Sequence, residues 1–198
     1  MALLAAALCL ALARAAASQT TSAPSANPEA APLAGANSGD PAALVLAGDR
    51  YAAGSGQARS PKQLAEEYRQ AALWYRKAAE QGSVAGQLRL AALYRDGRGV
   101  ARDMEQAAAW YRKAAEQGDA DAQATLGVLY SMGQGVPKSD VEAYFWLDLA
   151  ATAKGQNQQK YTANRQMIGA HITADELEAV QDRVAEWLAV HPRANGAE

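Results

Sequence analysis

Trp74-Tyr75-Arg76-Lys77-Ala78-Ala79-Glu80-Gln81-Gly82 returns 36 positions later, residue for residue, as Trp110-Tyr111-Arg112-Lys113-Ala114-Ala115-Glu116-Gln117-Gly118. The same offset carries Leu90, Tyr94, Gly97, Gly99 and Val100 onto Leu126, Tyr130, Gly133, Gly135 and Val136, and Trp110 onto Trp146. Self-similarity at a period of about 20–50 residues marks an array of one supersecondary unit, which buries its apolar side only against its neighbours.

Each unit reads as two helices. Ala122, Leu126, Leu129 and Tyr130 fall at i, i+4, i+7 and i+8, one apolar stripe. Gly133-x-Gly135 then breaks the helix, because glycine reaches the positive φ of a tight turn. The second helix opens on a cap: Ser139-x-x-Glu142 is a capping box and Asp103-x-x-Gln106 a close variant. Ala107, Trp110, Ala114 and Ala115 make its stripe, and Gly118 ends it. Small residues stand eight and three positions before the marker tyrosine of each unit: Ala43 and Gly48, Gly86 and Ala91, Ala122 and Gly127. They let two helix backbones approach closely. Gly97-Arg98-Gly99 is not a phosphate cradle, since it lacks the preceding strand and the third glycine.

The two ends depart from the period. Asp40-Pro41 is an N-cap followed by proline at the first helical position, opening a helix through Tyr51. Gly54-Ser55-Gly56 is the turn of that unit. From Tyr51 to Tyr94 the spacing is 43, so seven residues are inserted. Seven residues are about two turns, so the stripe Leu64, Tyr68, Ala71, Tyr75 and Ala78 stays in phase and the second helix is expected to be longer, projecting beyond its neighbours. At the other end Gly155 closes the third unit one residue late. Tyr161 to Ile168 reads as a short helix, and Thr173-x-x-Glu176 caps a last helix with Leu177, Val180, Val184, Trp187 and Leu188 on one side. A polar outer side, here Glu178, Asp182, Arg183 and Glu186, is what a terminal repeat needs. The expected units are 41–82, 83–118, 119–155 and a cap, 156–191, within a domain spanning 40–191.

Composition agrees with closely packed helices. Alanine, the best helix former, supplies 50 of the 198 residues, beside one Phe. The formal net charge of −2, from 19 basic and 21 acidic residues, gives no basic surface for nucleic acid. The single cysteine, Cys9, lies in the apolar run Ala2 to Ala13, which at twelve residues is too short to span a membrane. That run, followed by Ala15-Ala16-Ala17, matches a signal peptide over 1–17 with an A-x-A cleavage site, although no Lys or Arg precedes it. The alternative is a frayed alanine-rich helix. Residues 18–39, rich in Ser, Ala and Pro with Pro24, Pro28 and Pro32, read as a linker, and 192–198 as a tail. The resulting expectation is an exported, periplasmic or secreted protein.

The motifs Leu126-Gly127-x-x-Tyr130-x-x-Gly133-x-Gly135-Val136 and Ala107-x-x-Trp110-x-x-x-Ala114-Ala115-x-x-Gly118 resemble the Sel-one-like repeat family, a relative of the tetratricopeptide repeats. Ala91 replaces the family's usual Gly, Gly86 its usual Ala, and Ser139 its usual Asp. The resemblance covers about 41–155 well and the last pair loosely. It implies an all-α fold, a right-handed α-α superhelix of three helix-turn-helix repeats plus a C-terminal capping helix pair. It also implies an adaptor that assembles complexes, often exported in bacteria.

Chemistry-bearing motifs are missing from the sequence. No S-x-x-K and no H-E-x-x-H occurs, and His171 and His191 stand twenty apart without cysteine, so no metal or cofactor is expected. Glu66-Glu67 and Asp175-Glu176 are neighbours that point apart on a helix. Arg76-Lys77 and Arg112-Lys113 repeat with the unit, and Lys77 and Lys113 are expected to pair with Glu80 and Glu116 at i+3 on a solvated face, not to form a nucleic-acid stripe. What remains is surface. In solenoids of the resembled type the first helix of each pair lines the concave groove. Its positions here are Val45 and Asp49, then Leu88, Ala92 and Arg95, then Ala124, Val128 and Ser131. Apolar Val45, Leu88 and Val128 suit an apolar peptide segment and Arg95 an acidic group; packing between helices is the competing explanation for the same residues. The functional expectation is a non-catalytic scaffold of the bacterial cell envelope or secreted fraction that holds a partner polypeptide in this groove, without nucleic acid or a membrane span. A peptidoglycan- or β-lactam-related enzyme or inhibitor is the alternative, since some relatives are linked to penicillin binding. A monomer is expected, with end-to-end stacking as a further possibility.

Overall fold

The computed structural model describes residues 39–54 and 60–191. The expected signal peptide (1–17), all but the last residue of the linker (18–39), Ser55 and Gly56 of the first turn, and the tail (192–198) lie outside the described residues. Among those described, eight helices and no strand occur. They are α1 (Pro41–Ala53), α2 (Pro61–Glu80), α3 (Val84–Asp96), α4 (Met104–Glu116), α5 (Ala120–Met132), α6 (Asp140–Ala151), α7 (Gln158–Gly169) and α8 (Ala174–Val190).

Local chemistry sets most of the boundaries. Asp40 accepts from the backbone N–H groups of Ala42 and Ala43 at 3.4 and 3.2 Å, with Pro41 at the first position. Ser60 with Gln63, and Thr173 with Glu176, complete reciprocal capping boxes. The Ser139 box closes only by half. Its hydroxyl accepts from the Glu142 N–H at 3.2 Å, but the Glu142 carboxylate turns outward to Arg183 of α8 at 3.0 Å. A tertiary partner takes the side chain that the local motif would use. Gly97 and Gly133 are left-handed C-caps, as the Gly-x-Gly pattern requires. The insertion in the first unit goes into α2, which has 20 residues against 13 in α4. At the end of the third unit, α6 stops at Ala151, where the Thr152 hydroxyl donates to the Leu149 carbonyl. Gly155 therefore lies beyond the helix end rather than forming it.

Helices pack with their chain neighbours, α1 on α2, α2 on α3, and onward to α6 on α7, while α8 returns to pack on α6. This is an all-α solenoid of three helix pairs closed by two further helices. Within a pair, the small residue three before the marker tyrosine sets the approach. A Cβ on Gly48 would sit 2.4 Å from the Tyr75 ring, and one on Gly127 would sit 2.7 Å from Leu147 Cγ. The second unit accommodates Ala91 at this position, fully buried in one cluster with Tyr111.

Between pairs, the turn of one unit rests on the second helix of the unit before. Gly99 (φ +68°) lies so close to α2 that a Cβ would fall 2.2 Å from the Tyr68 carbonyl carbon. Gly135 (φ +70°) stands against α4, its Cβ position 2.0 Å from the Met104 carbonyl oxygen. Gly82 shares the positive φ, at +85°, but has no atom within 4 Å of the Cβ position. Gly82→Ala is therefore expected to cost about 1 kcal/mol from backbone conformation alone. Gly135→Ala adds a clash with rigid backbone and is expected to cost more than about 2 kcal/mol. Urea melts of the two variants check the order.

Candidate functional site

The face formed by the first helices of the pairs, α1, α3 and α5, carries the expected groove residues in three rows. Val45, Leu88 and Ala124 occupy one repeat position; Asp49, Ala92 and Val128 the next; Arg95 and Ser131 the third. The first row leans into the seams between helices. Val45 packs against the core clusters of the first pair, Leu88 against those of the second and third, and Ala124 is buried at 7% exposure. The second row is half-buried, and in the third Arg95 is exposed and Ser131 half-buried. Ser131 donates to the Val128 carbonyl within its own helix at 2.9 Å.

Two polar clusters stand on this face. Asp49 accepts from the Tyr75 hydroxyl at 2.7 Å and pairs with Arg89 of α3 at 3.1 Å, tying α1 to α2 and α3 together. Burial, and then the bond to Asp49, pushes the Tyr75 phenol above its ordinary range. Arg95 donates to the Tyr111 hydroxyl at 3.2 Å and to Asp96 at 2.8 Å, while its own carbonyl accepts from Arg102 at 3.1 Å. The Asp96 hydrogen bond raises the guanidinium pKa further and lowers that of the Asp96 carboxyl. Arg95 is thus a fixed cation whose side chain keeps 45% of its exposure. The sequence had singled out Asp49 and Arg95. It gave no sign of Arg89 or of the two tyrosines that hold them, because these contacts join residues 16–40 positions apart with no local motif.

The seams behind the face repeat a second set of contacts. Gln87 is buried and donates to the Ala79 carbonyl at 3.4 Å; Gln123, one period on, donates to Ala115 at 3.1 Å. Each glutamine adds a second donor to a C-terminal carbonyl of the preceding helix, beside the N–H of Gly82 or Gly118 at 3.0 Å. Among the described residues no helix precedes the first unit, and there the apolar Leu44 holds the equivalent repeat position. In each Arg-Lys pair the arginine crosses to the next unit, and the lysine departs from the sequence expectation. Arg76 donates to the Tyr94 hydroxyl at 2.5 Å and Arg112 to that of Tyr130, each crossing to the next unit. Lys77 and Lys113 lie over the rings of Trp74 and Trp110 at 4.6 and 3.9 Å instead of pairing with Glu80 and Glu116. A ring three residues back offers the ammonium an attraction as good as an exposed carboxylate.

His171 stands 4.0 Å from Asp140, and His191 stacks on Trp187 with ring centroids 4.3 Å apart. Among the described residues, no group of three or more His, Cys, Asp or Glu side chains is placed to hold a metal ion. None of the described helices is long and apolar enough to cross a membrane.

Comparison with known proteins settles the family. The Sel1 repeat model matches three successive segments, 41–83, 84–119 and 120–154. The chain belongs to the Sel1 repeat family. Among solved structures it is similar to a protective antigen present in uropathogenic Escherichia coli strains that displays an SLR fold. The two share 26% identity at a TM-score of 0.58, over 84% of this chain and 44% of that one. It is also similar to a Sel1 repeat protein from Oxalobacter formigenes, with 35% identity and a TM-score of 0.55, over 64% of this chain and 92% of that one. No curated protein matches. Sel1 repeat proteins are generally protein-interaction scaffolds, and their fold is typically non-catalytic.

Two variants test the seams. Gln123→Leu removes the side-chain bond to the Ala115 carbonyl, which keeps its bond from the Gly118 N–H, and is expected to cost about 1 kcal/mol in urea unfolding. At the capping end, the Tyr161 hydroxyl donates to Asp121 of α5, and burial with that bond pushes the phenol up to about 12. A folded-state pKa above the unfolded value of 10.0 contributes stability that is complete below pH 10 and lost as pH rises toward 12. Thermal melts across that window should show a decline that Tyr161→Phe reduces.

Proposed function

We propose that this Sel1 repeat chain is a non-catalytic scaffold of the bacterial cell envelope or secreted fraction, holding a partner polypeptide along the face of α1, α3 and α5. In a solenoid of this kind that face is the concave one. The observation that carries the proposal is the Arg95 guanidinium, fixed by Tyr111 and Asp96 yet exposed on the same helix face as half-buried Ala92, and one row from Val128 of α5. A cation already immobilised loses little entropy on meeting a carboxylate. Beside it, small and β-branched side chains offer apolar contact to an extended segment. Fit to a peptide with an acidic residue next to apolar ones follows. Export rests on the apolar run at 2–13 and the A-x-A site after it.

Photo-crosslinking residues placed in living cells test the face. Substitution at Ala92 or Val128 is expected to give discrete crosslinks to a partner polypeptide, reduced at least about tenfold by Arg95→Glu. Substitution at Ala109, exposed on α4, is expected to give none. Crosslinks of equal yield from Ala109 would move the binding surface elsewhere. Fractionation of the same cells checks location, with the chain expected outside the cytoplasm.

A further inference from the structure

The seam between α6 and α7 reverses a polarity that the two earlier seams share. At successive 36-residue steps the second helices carry Arg76, Arg112 and Asp148. The two arginines donate to tyrosine hydroxyls of α3 and α5. Asp148 instead accepts from Arg165 of α7 at 2.7 Å, in a pair whose side chains keep only 13% and 32% of their exposure. The seam glutamine changes as well. Gln87 and Gln123 reach back to helix-end carbonyls from α3 and α5, whereas α7 makes its contact to the end of α6 through Gln158, which donates to Ala151 at 3.5 Å.

We infer that the Asp148–Arg165 pair is a register lock that confines the capping helix to the third repeat. The need for one follows from the sequence. At the 36-residue offset all three second helices carry the same tryptophan and alanines (Trp74, Ala78 and Ala79; Trp110, Ala114 and Ala115; Trp146, Ala150 and Ala151), so they present related surfaces to any helix that docks behind them. While the chain folds, or when two copies meet, α7 can be offered to α4 or α2 as well as to α6. Arg165 decides between them. On α6 it meets a carboxylate. On α4 or α2 the same repeat position holds a guanidinium, and two like charges would be half-buried together without compensation. The tyrosines of α3 and α5 carry no such restriction, because a hydroxyl accepts from arginine and can donate to a carboxylate. The lock therefore acts on the cap alone, and fixes where the array ends rather than the order inside it.

Refolding of four variants from urea, followed by tryptophan fluorescence and light scattering, tests the inference. Asp148→Asn removes the attraction without adding repulsion. Asp148→Arg makes α6 resemble α2 and α4, and is expected to lower the thermal midpoint by roughly 10 °C. Combining Asp148→Arg with Arg165→Asp should recover most of that loss. Combining Arg112→Asp with Asp148→Arg moves the acid to α4. It should produce a slow refolding phase and a self-associated fraction several times larger than in Asp148→Asn at equal protein concentration. If that double variant refolds in the same phases and to the same mass as Asp148→Asn, the pair is only a stabilising ion pair and the lock is refuted. If the Arg112→Asp double variant does not fold, the comparison moves to Asp148→Arg against Asp148→Asn, where an equal slow fraction would refute it.

Discussion

The turn backbone of each repeat lies directly on the second helix of the repeat before, Gly99 on Tyr68 and Gly135 on Met104, with no room for a side chain between them. That approach fixes the spacing of the stack. Once it is set, Gly86 can seat α3 against Ala78 and Ala79, and the glutamines at 87 and 123 reach the carbonyls that end α2 and α4. The arginines at 76 and 112 then fall within bonding distance of the tyrosines of the following helix. A change at the turn would displace all of these contacts together, because interiors are packed too densely to absorb a shift locally.

Alanine is the compositional consequence. Ala71, Ala78, Ala107, Ala114, Ala122 and Ala143 have no exposed surface at all. Each contributes little apolar area by itself, so the stability of the stack comes from close backbone approach and from larger residues wedged at intervals, such as Tyr75, Leu90, Leu126 and Leu147. The core is correspondingly divided into clusters that straddle the seams, as expected of an array whose units touch only their neighbours.

Function in such a molecule follows from surfaces. The contacts that hold α1, α2 and α3 together also orient Asp49 and Arg89, and the residue that joins α4 to α3, Tyr111, also steadies Arg95. The proposed binding face and the packing of the stack therefore share residues. Leu88 and Val45 belong more to the packing, while Arg95, Ala92 and Val128 make up the rest of the proposed face.

The sequence by itself determined the repeat, its period, its helix pairs, the turns at Gly97 and Gly133, and the lengthening of α2. These follow from local propensity, capping and periodicity, which act within a few residues. It also marked Asp49 and Arg95 by their position in the unit. Only the tertiary structure decided what each long polar side chain holds: Glu142 on Arg183 rather than on its own cap, Lys77 and Lys113 over tryptophan, Gln87 and Gln123 buried at helix ends, Asp148 on Arg165. Such side chains have several partners of nearly equal energy within reach. The choice among them falls to whichever group the neighbouring repeat brings near, and that is a property of the stack rather than of any one stretch of chain.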